Sequence, residues 1–202
     1  MAESDLHRLP QPDLGADVSL GSVLQQRRSV RSFAAQPLSL AEVAQLLWAA
    51  QGISSDQGLR TAPSAGALYP LELHLLAGEV EDLNAGSYRY DPARHALTAE
   101  KVGDLRTATA AAALHQDWIA QAPVIVVIAA VDARTTRKYG RRGVRYVHME
   151  AGHAGQNLLL QAVALGLGGA IVGAFDDTQL HRLLDLPEDE RPLALIALGH
   201  PR

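Results

Sequence analysis

Arg27-Arg28-Ser29-Val30-Arg31-Ser32-Phe33 packs three guanidinium groups and two hydroxyls into seven residues. Guanidinium forks bind phosphate oxygens bidentately, and serine hydroxyls add short charge-assisted hydrogen bonds. The stretch therefore reads as a grip for a phosphorylated ligand. On these residues alone, a solvated basic loop remains the competing reading. Just upstream, Ser19 is placed to N-cap a short helix, Leu20 to Gln26, that delivers the cluster. Downstream the chain runs extended to Pro37, and Ser39-Leu40-Ala41-Glu42 forms a capping box at the head of a second helix. Leu40, Val43, Leu47 and Ala50 keep its helical period, and Gly52 stops it. Trp48, the lone aromatic on that helix, reads as core or interface packing.

Further out lies Thr61-Ala62-Pro63-Ser64-Ala65-Gly66-Ala67-Leu68-Tyr69-Pro70. Two prolines and a glycine bracket a run of small side chains, which lets the backbone approach a flat ligand closely. An ordinary connection into the next strand is the alternative. Leu71, Leu73 and Leu75 then alternate with Glu72 and His74, a strand with one buried face. His74, alone on the polar side, reads as strand surface. Ser87 to Thr98 reads as a hairpin about Asp91-Pro92, and residues 104–114 as an alanine-rich helix. Val124 to Val131 is apolar on both faces and predicts a central, fully buried strand. Behind it comes a second basic cluster, Arg137, Lys138, Arg141, Arg142 and Arg145. Val144 to Leu165 has the period of a long helix. Its Gly152 and Gly155 imply close contacts, because glycine otherwise costs about 1 kcal/mol in a helix interior. Gly166 to Phe175 is glycine-rich, yet it follows a helix instead of a strand and carries Ile171 at the sixth position, so a dinucleotide-binding fingerprint is rejected. Asp176 or Asp177 caps a helix through Leu184, and Leu193 to Leu198 is a last strand. Strands separated by helices predict an α+β or α/β fold. The expected organisation is an extended lead-in, 1–19, and a single domain, 20–202.

Composition narrows the function. The chain has 202 residues, 48% of them hydrophobic and 20% charged, with a net charge of −4. A general nucleic-acid or anionic-membrane binder would carry a basic excess instead. No cysteine is present, which excludes disulfides, thiol nucleophiles and iron–sulfur ligation. Ala122 to Val131, the longest apolar run, is too short for a membrane span, and Met1 to Asp5 is polar with no signal-peptide character. A soluble cytoplasmic protein is expected, without nucleic-acid or membrane partners.

Among catalytic motifs, Gly-x-Ser-x-Gly is absent. Glu150-Ala-Gly-His153 is a single Glu-x-x-His pair, where a di-iron bundle needs two such motifs and two more glutamates. No metal is expected. With Tyr146 and Gln156 the pair reads as a polar helix face that bonds a ligand or a partner chain. A flavin explains more. It carries a phosphate, a flat ring and a hydride-accepting N5, which call for arginines and hydroxyls, a small-residue loop and a backbone N–H. Arg27 to Arg31, the Pro63–Pro70 loop and Gly173-Ala174 can supply these three.

The ordered series of motifs resembles the nitroreductase superfamily, in particular its SagB-type azoline dehydrogenase branch. The series comprises R-R-S-V-R-S-F at 27–33, L-L-W-A-A-Q-G at 46–52, P-S-A-G-A-L-Y-P at 63–70 and Y-R-Y-D-P at 88–92. It continues with A-P-V-I-V-V-I at 122–128, K-Y-G-R-R-G-V-R-Y at 138–146, E-A-G-H-A-G-Q-N-L at 150–158 and G-L-G-G-A-I-V-G-A-F-D-D at 166–177. The resemblance implies an FMN-dependent α+β fold with a central mixed β-sheet flanked by helices, and an intertwined homodimer with two flavins at its interface. By position it assigns Arg27, Arg28 and Ser29 to the FMN phosphate and Arg31 to the pyrimidine edge of the ring. Pro63, Ser64, Ala65 and Ala67 would line the flavin across the interface, with Ala67 where many relatives carry Asn. Gly173 and Ala174 would place a backbone N–H near N5. Arg202, after Gly-His-Pro, stands near where relatives bring another phosphate-binding cation. Lys138-Tyr139 matches the pair associated with proton removal in SagB-type enzymes. A lysine base needs desolvation or neighbouring cations, and Arg137, Arg141 and Arg142 are such neighbours. The implied substrate is a small molecule or a modified peptide, the latter presented by a cyclodehydratase partner. An NAD(P)H-dependent nitro or quinone reductase and a non-enzymatic flavin-binding module are the alternatives.

Overall fold

Strand β5, Val124–Ala130, is buried at every position and carries a neighbour on both edges. Its run of valines and isoleucines suits a pleated surface covered on both sides. The computed structural model describes residues 6–15 and 18–202. Residues 1–5 and 16–17 of the expected lead-in lie outside the described residues.

Among the described residues, seven strands form one sheet in the order β1-β4-β3-β2-β5-β7-β6. They are β1 (Leu6–Arg8), β2 (Leu71–Ala77), β3 (Gly86–Asp91), β4 (Ala96–Val102), β5, β6 (Gly168–Val172) and β7 (Arg191–Gly199). Every ladder between them is antiparallel, so the expected mixed sheet is corrected. Among the described residues, parallel pairing is confined to two isolated bridges, Ser29 with Gly169 and Leu38 with Val80. Part of the lead-in joins the sheet: Leu6–Arg8 pairs with Ala96 to Thr98 of β4. A three-residue edge strand carries too little pattern to be legible in sequence.

The helices are α1 (Leu20–Gln26), α2 (Leu40–Gln51), α3 (Arg106–Ala112), α4 (Ala133–Tyr139), α5 (Arg142–Ala164) and α6 (Asp177–Leu183). Period-two alternation along β5 divides the core into two layers. Val124, Val126, Ile128 and Ala130 pack with α2 and with Val147, Ala151, Ala154, Leu158 and Ala162 of α5. Ile125, Val127 and Ala129 pack with α3, α6 and Phe33. Each fully buried leucine or isoleucine in these layers contributes about 1.5–3 kcal/mol. Gly155 of α5 lets that helix settle on the sheet, since a Cβ there would lie 3.3 Å from Ile171 and 3.4 Å from Ile196. Gly152 faces open space. The expected caps form: Ser39 and Glu42 close a capping box on α2, and Asp176 caps α6.

Candidate functional site

Arg27 closes α1 by donating its N–H to Val23 O at 2.9 Å. The next residues run beside β6 and the C-terminal segment. Val30 N donates to Gly169 O at 3.0 Å, Ala34 N to His200 O at 2.9 Å and Arg202 N to Ser32 O at 3.2 Å. Gly168 permits this approach, because a Cβ there would sit 2.6 Å from a Val30 methyl. These main-chain bonds lay the segment that carries Arg27, Arg28, Ser29 and Arg31 beside the one that carries Arg202, although most of the chain separates them in sequence. Arg28 turns one nitrogen back to Gln25 O and Arg27 O, each at 2.8 Å, where a cation suits the end of a helix. Arg31 lies over the Trp118 ring at 5.7 Å. Among the described residues, none of these four arginines is ion-paired within the chain. Guanidinium groups so placed suit an external anion.

The Pro63–Pro70 loop contains a 3₁₀ turn, Ala65–Ala67, with Gly66 at φ 66°, Ala67 at φ 53° and Tyr69 at φ 45°. Left-handed backbone at a residue with a side chain costs roughly 1–2 kcal/mol. Contacts from four directions hold the loop against that cost. Ser64 Oγ accepts from Tyr69 N at 2.9 Å, and Arg134 donates to Tyr69 O at 3.1 Å. The Arg60 guanidinium covers the Tyr69 ring at 4.5 Å, and buried Glu150 of α5 accepts from Ala65 N at 2.9 Å. Glu150 thus serves the loop backbone. Among the described residues no three His, Asp or Glu side chains converge on a point where they could hold a metal ion.

Lys138 and Tyr139 close α4, and both reach this loop. A Cβ on Gly66 would lie 2.8 Å from Tyr139 Oη and 2.9 Å from Lys138 Nζ. The two polar ends therefore flank one glycine, and any side chain there would push them aside. Tyr146 meets Tyr139 edge-on, with ring centroids 5.2 Å apart. A cleft of about 280 Å³ opens alongside, lined by Pro63, Ser64, Ala65, Tyr146, Glu150 and His153 among others.

Within one chain the candidate residues thus fall into two groups, the arginine grip and the Gly66–Lys138 corner. Gly173 and Ala174 belong with the first, at the exposed exit of β6 beyond Gly169, where Gln116 donates to Ala174 O at 3.2 Å. Gly169 packs on Leu159 of α5, nine residues past Glu150, or about 14 Å along that helix. No hydrogen bond or ion pair among the described residues joins the groups.

His74 departs from its expected place on the strand surface. It is fully buried, with Nδ1 2.8 Å from Glu100 and Nε2 2.5 Å from Glu190. Arg89 completes the cluster, donating to Glu190 at 2.9 Å and Glu100 at 3.1 Å and pairing with Glu72. Burial alone would lower the pKa of His74; hydrogen bonds to Glu100 and Glu190 overcome it and hold the imidazole above its ordinary range. Burial would raise Glu190, yet the same bond and Arg89 hold it below the ordinary carboxylate range. Alternation in β2 identified the face but not the cover, since Glu190 arrives from a segment 116 residues away.

The architecture is α+β: an antiparallel sheet between helical layers, with arginines that form no ion pair among the described residues on one side and a polar corner on the other. The sequence model of the nitroreductase family matches residues 24–200, and the chain belongs to that family. The nitroreductase-family protein MJ1384 of Methanocaldococcus jannaschii is 43% identical over 195 residues, covering 96% of this chain and 97% of that protein. A nitroreductase-type structure from Ralstonia eutropha JMP134 superposes with a TM-score of 0.87 at 30% identity, over 100% of this chain and 92% of its own. The microcin B17-processing protein McbC of Escherichia coli is 31% identical over 142 residues, 67% of this chain but 51% of McbC. A chain of the E. coli McbBCD microcin synthetase complex, with truncated pro-MccB17 bound, matches with a TM-score of 0.74 at 25% identity, covering 96% of this chain and 77% of that one. No helix among the described residues is long and apolar enough to cross a membrane.

Proposed function

We propose that this protein is an FMN-dependent, SagB-type oxidoreductase acting in the cytoplasm as a homodimer, with residues 20–202 forming one FMN-binding domain. The observation that carries the reading is the convergence of Lys138 Nζ and Tyr139 Oη on Gly66, inside the loop whose small residues suit a flat ring. FMN fits the residues present, because Arg27, Arg28, Arg31 and Arg202 stand on adjoining segments and form no ion pair among the described residues, and guanidinium groups bind phosphate. Bound FMN supplies hydride chemistry at N5. Arg27, Arg28, Ser29 and Arg202 hold its phosphate, and Arg31 stabilises negative charge at the pyrimidine edge. Gly173 and Ala174 present backbone to the ring from the same chain. Pro63, Ser64, Ala65 and Ala67 come from the second copy, which brings together the two groups that lie apart in one chain. Lys138 or Tyr139 receives the proton from the substrate carbon as the neighbouring bond is oxidised. The likeness to McbC and to the McbBCD complex supports a modified-peptide substrate and a cyclodehydratase partner.

A second reading has NAD(P)H as electron donor and a nitro compound or quinone as acceptor. The match to MJ1384 over nearly the full length of both chains favours it. The test is the visible spectrum of the purified protein, followed by anaerobic titration with NADPH and NADH. Flavin bands that neither nucleotide bleaches support the dehydrogenase; rapid bleaching supports the reductase. Turnover of added donor and acceptor at no more than the rate of free FMN leaves a flavin-binding module. A colourless protein that takes up no added FMN refutes all three.

A further inference from the structure

The corner where α4 meets α5 carries Arg137, Lys138, Arg141, Arg142 and Arg145, five of the chain's 18 Lys and Arg. No Asp or Glu occurs from Ala133 to His148, and all five cations are exposed. Several other arginines find their carboxylates within the chain. Arg89 holds Glu72, Glu100 and Glu190, Arg106 holds Asp104 and Glu79, and Arg191 holds Asp132. Among the described residues, none of the five at the corner has a carboxylate within ion-pair distance. Arg137 and Lys138 sit favourably in the last turn of α4, but the placement of the other three opposes the dipole of α5. Arg141 is the N-cap of α5, Arg142 follows it and Arg145 comes one turn later, with no acidic residue in that first turn. Cations are disfavoured at a helix N-terminus. Arg141, Arg142 and Arg145 gain no carboxylate partner among the described residues on folding, and an external anion would relieve them.

We propose that the corner docks an acidic segment of a polypeptide. Arg141 and Arg145 lie about 6 Å apart along the helix axis, close to the roughly 6.6 Å between same-side residues of an extended chain. Alternate Asp or Glu side chains can therefore meet successive arginines in register. A single phosphate would engage two or three donors and leave the others unmatched. The chain's net charge of −4 disfavours an acidic segment away from its cationic patches, and unlike the arginine grip this patch adjoins the Gly66 corner. Lys138 belongs both to the patch and to the Gly66 corner, so a docked segment is delivered beside the candidate reaction centre. This last consequence rests on the function proposed above; docking itself does not.

The test is fluorescence anisotropy of the purified protein with a labelled peptide of alternating Glu and Ser, and a Lys and Ser peptide as control. The acidic peptide is expected to bind, and to weaken roughly tenfold when salt rises from about 50 to about 300 mM. Arg141→Glu with Arg145→Glu lowers affinity by roughly tenfold or more, while Arg182→Glu on α6 leaves it unchanged. Arg141→Gln with Arg145→Gln, verified by circular dichroism, gives a smaller loss in the same direction if the reversed pair misfolds. Equal binding of both peptides, or no effect of either double variant, overturns the proposal. So does competition by NADPH that the Arg141/Arg145 variants abolish, which would make the patch a nucleotide site. Flavin absorbance of the same samples separates the two readings. A colourless protein that binds the acidic peptide keeps docking and refutes FMN; a yellow protein that ignores it does the reverse.

Discussion

Replacing His74 with glutamine should expose what the buried charge cluster contributes and at which pH. Both ring nitrogens of His74 face carboxylate oxygens, at 2.8 and 2.5 Å, so both donate when the imidazole is charged. Glutamine reaches one carboxylate and carries no charge. Removing one member of a buried pair typically costs about 3–5 kcal/mol, and the low end applies here because Arg89 still contacts both glutamates. A loss of about 3 kcal/mol in a chain of this size corresponds to roughly 6–12 °C in Tm. The pH dependence carries the sign. The folded pKa of His74 is raised, so its contribution is complete below its unfolded value of 6.5 and disappears as pH climbs through the folded value. That of Glu190 is lowered, so its contribution is present above its unfolded value of 4.5 and disappears as pH falls through the folded value. The cluster is most stabilising between those two limits. Urea unfolding at fixed protein concentration, followed from about pH 5 to about pH 9, should show the wild type losing its advantage over His74→Gln above neutrality. Parallel profiles across that range would refute a charged imidazole in the fold.

Three further outcomes are expected. Arg27→Ala removes a charge-assisted phosphate contact worth about 1.5–3 kcal/mol, so the FMN dissociation constant measured by flavin fluorescence should rise roughly 10- to 100-fold; an unchanged constant takes Arg27 out of the grip. Gly66→Ala puts a Cβ 2.8 Å from Tyr139 Oη at a backbone φ of 66°. It should lower Tm by roughly 3–6 °C and reduce turnover in step with Lys138→Ala, and wild-type turnover would detach Lys138 from the mechanism. Ser39→Ala breaks the capping box of α2 and should cost about 1 kcal/mol in denaturant unfolding without altering FMN affinity.

The distribution of arginines separates architecture from function. Arg89, Arg106, Arg134 and Arg191 tie strands and loops together through carboxylates that are distant in sequence or across a turn. Arg27, Arg28, Arg31 and the cations from Arg137 to Arg145 form no such ties among the described residues. Sequence cannot tell these classes apart, because a carboxylate that arrives from a distant segment leaves no mark beside the arginine it pairs with.

Local chemistry was legible in the amino-acid order. The caps at Ser19, Ser39 and Asp176, the doubly buried strand around Val124 to Ala130 and the long helix ending near Ala164 each depend on neighbours within a turn or on period alone. The arginine and small-residue motifs, with their family resemblance, were legible for the same reason. The folded chain alone decided what depends on long-range contact. It made every ladder antiparallel and drew Leu6–Arg8 into the sheet. It buried His74 beneath Glu190, brought Arg202 to Ser32 and set Lys138 and Tyr139 against Gly66. Each of these outcomes joins segments whose approach is governed by packing over the whole sheet. No periodicity records that packing, because a residue's pattern encodes which face it occupies and not what will cover it.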